Sequence, residues 1–140
     1  MTRQRVLTGA MAQLKTVGLR PTRQRLALAR LLFQHGPRHV TAEQLHGEAQ
    51  DAAVRVSLAT VYNTLHQFTR AGLLREVVID PGRSYFDTNT SEHHHFYDQA
   101  DCTLSDIPGS AVSLSCLPQA PDGAVVERIE VIVHIRKADR

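Results

Sequence analysis

The sequence predicts an α/β (α+β) fold, in which an N-terminal winged helix-turn-helix domain is followed by a small α/β domain. Three observations predict it. Capped amphipathic helical segments fill the first half of the chain, β-forming residues flank a Pro-Gly turn behind the last of them, and the C-terminal segment alternates apolar and polar residues. We place the domain boundary between residues 1–87 and residues 88–140.

The organising element is a predicted helix over residues 57–72. Ser57 can cap its first turn, and Gly72 can end it in the left-handed conformation. Its apolar stripe consists of Leu58, Val61, Leu65 and Phe68. Its opposite face consists of Ala59, Tyr62, Asn63, His66 and Arg70, and contains no acid. Because a helix N-terminus also favours phosphate, this pattern is typical of a helix that lies in a DNA groove.

The preceding segments complete a helix-turn-helix. Thr22 can cap a helix that ends before Gly36, and Thr41 forms a capping box with Gln44 at the start of the next. A short turn then leads into the helix over residues 57–72, and a hairpin around Gly82 follows it. A hairpin directly behind a recognition helix is the wing of a winged helix.

Charge divides the chain in the same way. Residues 1–75 hold 11 Lys/Arg against 3 Asp/Glu, a net +8, whereas residues 76–140 hold 5 against 11, a net −6. Arg20, Arg23 and Arg25 lie together at the start of the second helix, around its predicted cap at Thr22. They form either a solvated basic turn or a clamp for a phosphate backbone, and the charge division favours a polyanion-binding module joined to a second module.

The second half is harder to interpret. Pro and Gly interrupt residues 108–123, and a strand with one buried face is then predicted by the alternation of Ile129, Val131, Val133 and Ile135 with polar neighbours. A half of this size with few apolar runs is marginal alone. Pairing of two copies as a homodimer would stabilise it, and would present two recognition helices to one palindromic site on double-stranded DNA.

Three consecutive histidines suggest a metal site. On an extended segment His93 and His95 point to one side and His94 to the other. Imidazoles with nearby carboxylates suit a borderline divalent ion such as iron, manganese or zinc. The candidate metal ligands are His39, Asp87, His95 and Asp106. An ion with ligands from both halves would fix the halves in one orientation.

Other classes of protein are disfavoured. Cys102 and Cys116 are the only cysteines, so a four-cysteine structural zinc site is excluded, and free thiols are expected. No apolar run is long enough for a membrane span and no signal peptide is recognisable, so we expect a cytoplasmic protein without a membrane partner. No HExxH, GxSxG or phosphate-binding glycine loop occurs, which makes a metal-dependent hydrolase the weaker hypothesis.

Several separated motifs resemble the Fur (ferric uptake regulator) superfamily. They are GLRPTRQR at residues 18–25, HVTAE at residues 39–43, LATVY at residues 58–62 and HHH at residues 93–95. Within the superfamily the chain is most similar to the Irr (iron response regulator) proteins of alphaproteobacteria. That similarity rests on VSLATVYNTL at residues 56–65, YFDTN at residues 85–89 and HHHF at residues 93–96.

The resemblance implies a dimeric repressor or activator whose DNA binding responds to iron. It implies that Tyr62 lies in the recognition helix, that Arg20 reaches a minor groove, and that a regulatory metal lies between the domains. The residues that match the metal ligands are again His39, Asp87 and His95, with Asp106 added. Irr-like proteins are associated with haem, and in this chain, which has no Cys-Pro motif, the candidate axial ligands are His93, His94 and His95.

The chain departs from the Fur pattern at several positions: Phe96 and Tyr97 replace an aspartate and a histidine that follow the triplet in Fur proteins, and two longer segments also differ. Residues 98–103, Asp-Gln-Ala-Asp-Cys-Thr, replace a CxxC that holds structural zinc in Fur proteins, and residues 109–123 are too broken for the long helix of a Fur dimerisation domain. We therefore expect an iron-responsive homodimeric regulator in which Ser57, Ala59, Thr60, Tyr62 and Asn63 contact DNA. The rival readings are a DNA-binding repressor that dimerises without a ligand, and the hydrolase.

Overall fold

The computed structural model describes residues 2–138, with side chains described from residue 9 onward. It forms two compact units, one ending at Thr90 and the other beginning at Ser91. The four α-helices of the described chain all lie in the first unit and each unit has one small sheet, so the predicted α+β class is confirmed. No helix in the described part is long and apolar enough to cross a membrane.

The first unit is a winged helix. Its elements are α1 (Thr2–Thr16), α2 (Arg23–Phe33), β1 (His39–Val40), α3 (Ala42–Asp51), α4 (Leu58–Arg70), β2 (Arg75–Asp80) and β3 (Arg83–Asp87). The strands form an antiparallel sheet in the order β1-β3-β2, in which β2 and β3 are the predicted hairpin. Strand β1 was not predicted, because two residues are too few to show an alternating pattern.

Side-chain caps start the helices where the sequence predicts. Thr22 accepts a hydrogen bond from Arg25 N at 3.2 Å, and Ser57 accepts one from Thr60 N at 3.1 Å. Thr41 and Gln44 make both hydrogen bonds of the capping box. Each cap satisfies a backbone N–H that the helix itself leaves without a partner.

One apolar core holds the first unit together. Its fully buried large side chains come from all four helices, from β1 and from β3: Leu14, Leu28, Leu32, Val40, Leu45, Val61, Leu65, Phe68 and Phe86. The predicted stripe of α4 is confirmed at three of its four positions. Leu58 differs, because it lies at the first residue of the helix and remains 36% exposed. The core thereby presents the opposite face of α4 to solvent.

The second unit is a three-stranded sheet. Its strands are β4 (His94–Asp98), β5 (Thr103–Ile107) and β6 (Ile132–Ile135), in the order β5-β4-β6. Strand β4 pairs antiparallel with β5 and parallel with β6. Between β5 and β6 the only regular element in the described chain is a 3₁₀ turn at Gly109–Ala111, in agreement with the broken pattern of this segment.

The buried face predicted for the last strand is wrong. The strand is shorter than predicted, and Val133 and Ile135 are 37% and 40% exposed. The reason is topological: β6 is an edge strand, and no helix of the second unit covers it among the described residues. Alternation in a sequence shows which side chains share a face, but it does not supply the layer that buries them.

Candidate DNA-binding surface and metal centre

The outer face of α4 is exposed as the sequence predicts. Ala59, Tyr62, Asn63 and Arg70 are exposed, whereas His66 is half-buried against the ring of Phe86. At the start of the helix Ser57 Oγ donates to Thr60 Oγ1 at 2.9 Å, in addition to accepting from Thr60 N. The face offers hydrogen-bonding groups, an aromatic ring and a cation beside a helix N-terminus, a combination suited to duplex DNA.

No residue on this face of α4 is acidic, as the sequence predicts, but α3 brings an acid to it. Tyr62 Oη donates a hydrogen bond of 2.7 Å to Glu43 Oε1, which belongs to α3. This hydrogen bond raises the pKa of Tyr62 above its ordinary value. The prediction counted only residues of α4. Glu43 could have been found from the predicted helix-turn-helix, because this motif brings the first turn of α3 close to α4.

The three arginines around the start of α2 have different surroundings. Arg20 and Arg23 are exposed. Arg25 is committed within the unit, because its Nη2 donates to Gln67 Oε1 at 3.0 Å and its Nη1 donates to the carbonyl of Arg20 at 2.8 Å. The structure therefore links Arg25 to α4 and leaves the other two guanidinium groups accessible to a phosphate.

The first unit contains two of the candidate metal ligands, His39 and Asp87. His39 on β1 and Asp87 on β3 are directly opposite each other in the antiparallel register, so their side chains meet on one face. His39 Nε2 lies 3.1 Å from Asp87 Oδ2, and Asp87 Oδ1 accepts a hydrogen bond from Asn89 N at 2.8 Å. Asp87 is buried. A buried carboxylate needs a positive or hydrogen-bonding partner, which this arrangement provides.

The second unit contributes three further donors. His95 on β4 lies opposite Asp106 on β5, and its Nε2 is 3.4 Å from Asp106 Oδ1. His93 reaches the same oxygen, with its Nε2 at 3.1 Å. The rings of His93 and His95 lie on one side of the strand, with centroids 4.4 Å apart, which confirms the predicted alternation. His93 was predicted to share a side with His95 but was not one of the four residues named as metal ligands, and the structure adds it to the candidate donors of the second unit.

The hydrogen bonding of His93 leaves its Nε2 ready to bind a cation. Nδ1 lies 2.7 Å from the carbonyl oxygen of Ser91. Since a carbonyl oxygen only accepts, Nδ1 carries the proton, and Nε2 of the neutral ring holds a lone pair. That lone pair faces an oxygen of Asp106, so a cation between them is favourable. Metal-ligating histidines commonly donate their other N–H to a backbone carbonyl in this way.

His94 has the opposite arrangement. Its Nδ1 accepts a hydrogen bond of 3.0 Å from the backbone N–H of Val131, so the proton of the neutral ring is on Nε2. To bind iron through Nε2, His94 would have to move that proton to Nδ1 and lose the hydrogen bond. Among the three candidate axial ligands, His93 and His95 are thus better disposed than His94.

Within each unit, the distances between candidate donor atoms are those found around a bound metal ion. Ligand nitrogens and oxygens held about 2.0–2.2 Å from a tetrahedral or octahedral ion are separated by about 2.9–3.5 Å. The distances from Asp106 to His93 and His95, and from Asp87 to His39, are 3.1–3.4 Å. Imidazole and carboxylate donors fit zinc, iron or manganese. Within each unit, the candidate ligands therefore have spacings that fit a divalent ion, although neither unit alone holds four of them.

Known proteins with similar sequences are regulators of ferric uptake. The sequence profile described as the ferric uptake regulator family matches residues 16–107. The ferric uptake regulation protein of Vibrio cholerae is 36% identical over 89 residues, which are 64% of this chain and 59% of that protein. The chain therefore matches about three fifths of the length of this curated relative.

Solved structures share the fold. The ferric uptake regulator from Pseudomonas aeruginosa with manganese has a TM-score of 0.70 and 22% identity, over 93% of this chain and 98% of that one. The Vibrio cholerae ferric uptake regulator has the same TM-score and identity, over 91% of this chain and 98% of that one. The profile covers more than half of the sequence, and the chain belongs to the ferric uptake regulator family.

Proposed function

We propose that this protein is a cytoplasmic, iron-responsive transcriptional regulator that binds a palindromic DNA operator as a homodimer. One observation supports the proposal most strongly: the polar face of α4 is exposed, because the apolar side of this helix packs into the core of a winged helix. Ser57 caps the helix at its start. Membership of the ferric uptake regulator family supports the same reading and favours it over a hydrolase.

The DNA contacts divide into two kinds. Arg20, Arg23 and the N-terminal end of α4, with Ser57 and Thr60, bind backbone phosphates and set the register of the protein on the duplex. The base edges and thymine methyl groups are read by Ala59, Tyr62 and Asn63. Arg25, which also lies in this region, acts by holding α2 against Gln67 of α4.

A second copy of the chain covers the apolar surface of the second unit. Val133 and Ile135 are exposed on β6, and Leu117, Val125 and Val126 are more than half exposed on the preceding loop. A free edge strand with apolar side chains favours pairing with another chain. The resulting dimer would place two α4 helices on two half-sites.

A divalent ion is held by His39, Asp87, His95 and Asp106, with His93 as a further ligand. Two donors in the first unit and three in the second are few for a closed site in either unit alone. Only five residues separate Asp87 from His93, so the chain itself limits the distance between the two sets. An ion at this position supplies two positive charges to offset the carboxylates. The Pseudomonas aeruginosa relative with manganese is consistent with this donor set.

Ligands shared by the two units would couple the metal to DNA binding. Because His39 and Asp87 belong to the unit that carries α4, restraint of these residues also restrains the recognition helix. In a dimer, a small change in the direction of two helices alters the fit to both half-sites at once.

The proposal extends to haem, as the resemblance to Irr proteins implies. His93 and His95, whose Nε2 atoms share one side of β4, are the proposed axial ligands. Titration of the purified protein with haem should then give a saturable Soret shift that is lost on replacing both histidines by alanine. A wild-type spectrum identical to that of free haem would reject this extension and leave the divalent-metal proposal intact.

Selection from random duplex DNA tests the proposed function as a whole. The protein should enrich an inverted repeat and bind it with two chains per duplex, as measured by gel shift and by the mass of the complex. Asn63→Ala should abolish the enrichment, whereas Thr90→Ala, outside the recognition helix, should leave it unchanged. Enrichment of no sequence, with or without manganese, would contradict the proposal.

A further inference from the structure

A cavity of about 500 Å³ in the first unit is lined by three arginines and by no acid. Arg23 and Arg30 come from the start and the last turn of α2, and Arg55 comes from the turn between α3 and α4. None of the three side chains makes an ion pair with a residue that the structure describes. Three unpaired guanidinium groups around one space create a strongly positive potential there.

Arg30 gives this cavity an anchor. Its Nε is buried and has no hydrogen-bond partner in the described structure. An arginine side chain keeps its positive charge in proteins, so it cannot relieve such a situation by losing its proton. Nε itself has almost no accessible surface, so a ligand would meet the rest of the guanidinium group where Arg30 lines the cavity, and an anionic oxygen there would offset its unpaired charge.

The rest of the cavity is apolar. Ala27, Ala53 and Val54 form part of its wall, and Gln24 adds one polar side chain. Its volume is within the range of about 300–1,000 Å³ typical of small-molecule sites, and is much larger than one phosphate group needs. A recess with a charged anchor and an apolar wall suits a small organic molecule better than a backbone phosphate of duplex DNA.

We propose that this cavity binds a small organic polyanion that carries phosphate or carboxylate groups on a short carbon skeleton. Arg30 holds one anionic group inside the recess, and Arg23 and Arg55 hold a second at its mouth. The site lies within the first unit and uses none of the proposed metal ligands, so it is independent of the metal proposal.

Isothermal titration calorimetry of the full chain tests the site. Tricarballylate and 3-phosphoglycerate are suitable probes, because both are small polyanions that chelate divalent metals weakly. We expect saturable binding of one molecule per chain for at least one probe. Arg30→Gln should weaken it about tenfold or more, as the loss of a charge-assisted hydrogen bond implies. Arg70→Gln, an exposed arginine of α4 outside the cavity, should leave it unchanged.

A second variant, Arg55→Gln, distinguishes loss of a ligand contact from loss of the fold. Arg55 is exposed, so its replacement should preserve the fold, and this variant should also bind the probe more weakly. Absence of saturable binding to wild type would overturn the proposal, as would wild-type affinity in both cavity variants. If neither probe binds but Arg30→Gln weakens duplex binding, the cavity holds a DNA phosphate, which also overturns it.

Discussion

At the scale of single residues, strand register assembles the candidate metal ligands. His39 faces Asp87 across one sheet, and His95 faces Asp106 across the other. Opposite residues in antiparallel strands have side chains within reach of each other, so each pair forms by backbone pairing alone. The sequence shows the alternation that groups His93 with His95. It does not show which carboxylate lies opposite, since that depends on register.

Asp106 is the residue on which the donors of the second unit converge. We predict that Asp106→Asn weakens binding of Mn²⁺ about tenfold or more, because it removes the anionic oxygen shared by His93 and His95. Isothermal titration calorimetry measures the affinity. Asp122→Asn, an exposed acid outside the cluster, is the matched control. Equal Mn²⁺ affinities in wild type and Asp106→Asn would exclude Asp106 as a ligand.

Glu43 places a negative charge at the exposed face of α4, where it accepts a hydrogen bond from Tyr62. Nonspecific binding to DNA is almost wholly electrostatic, so we predict that Glu43→Gln increases affinity for an unrelated duplex about threefold at low salt. Fluorescence anisotropy provides the measurement, with Glu127→Gln as the control. An unchanged or reduced affinity would show that Glu43 does not act on the phosphates.

At the scale of elements, the helices were predictable and much of the second unit was not. Helices form through local signals, and the caps at Thr22, Thr41 and Ser57 are where those signals place them. The short strand at His39 depends on pairing with a distant partner, and the exposure of β6 depends on what covers it. Neither can be read from a local pattern. The link between Glu43 and Tyr62 escaped prediction for the same reason.

The capping box of α3 gives an element-scale test. We predict that Thr41→Ala lowers the free energy of unfolding by about 1 kcal/mol, because it removes the side-chain acceptor of Gln44 N. Urea denaturation measures the change. Ser115→Ala, on an exposed loop, should shift stability by less than about 0.5 kcal/mol. A shift as small in Thr41→Ala would mean that the cap contributes little to the folded unit.

At the scale of the whole molecule, the chain joins a basic half to an acidic half. The basic half contains the helix-turn-helix and its exposed arginines, and the acidic half contains β4 to β6. Binding to a polyanion releases counterions in proportion to the phosphates that are neutralised, so the affinity of the first unit for DNA should fall steeply with salt. The division of charge was visible in the sequence, and it persists when charges are counted by unit: residues 1–90 hold 12 Lys/Arg against 6 Asp/Glu, a net +6, and residues 91–140 hold 4 against 8, a net −4.

This charge division predicts a salt dependence that single arginines control. Arg20→Gln should reduce the slope of log affinity against log salt by about 0.9 for each phosphate contact that is lost. Lys137→Gln, in the second unit, should leave the slope unchanged. Anisotropy titrations between 50 and 200 mM salt, about the range in which such contacts dominate, give both slopes. Identical slopes in wild type and Arg20→Gln would remove Arg20 from the phosphate contacts.

The central claim is that binding of a metal ion by the histidine and carboxylate ligands changes the affinity of the protein for DNA. The most direct test is the affinity for the selected palindrome, measured at one salt concentration with and without Mn²⁺, in wild type and in a variant carrying both His95→Ala and Asp106→Asn. We predict that Mn²⁺ changes the wild-type affinity about tenfold or more and leaves that of the variant unchanged. Equal wild-type affinities with and without the ion, under conditions where Mn²⁺ binding is demonstrated, would contradict the account.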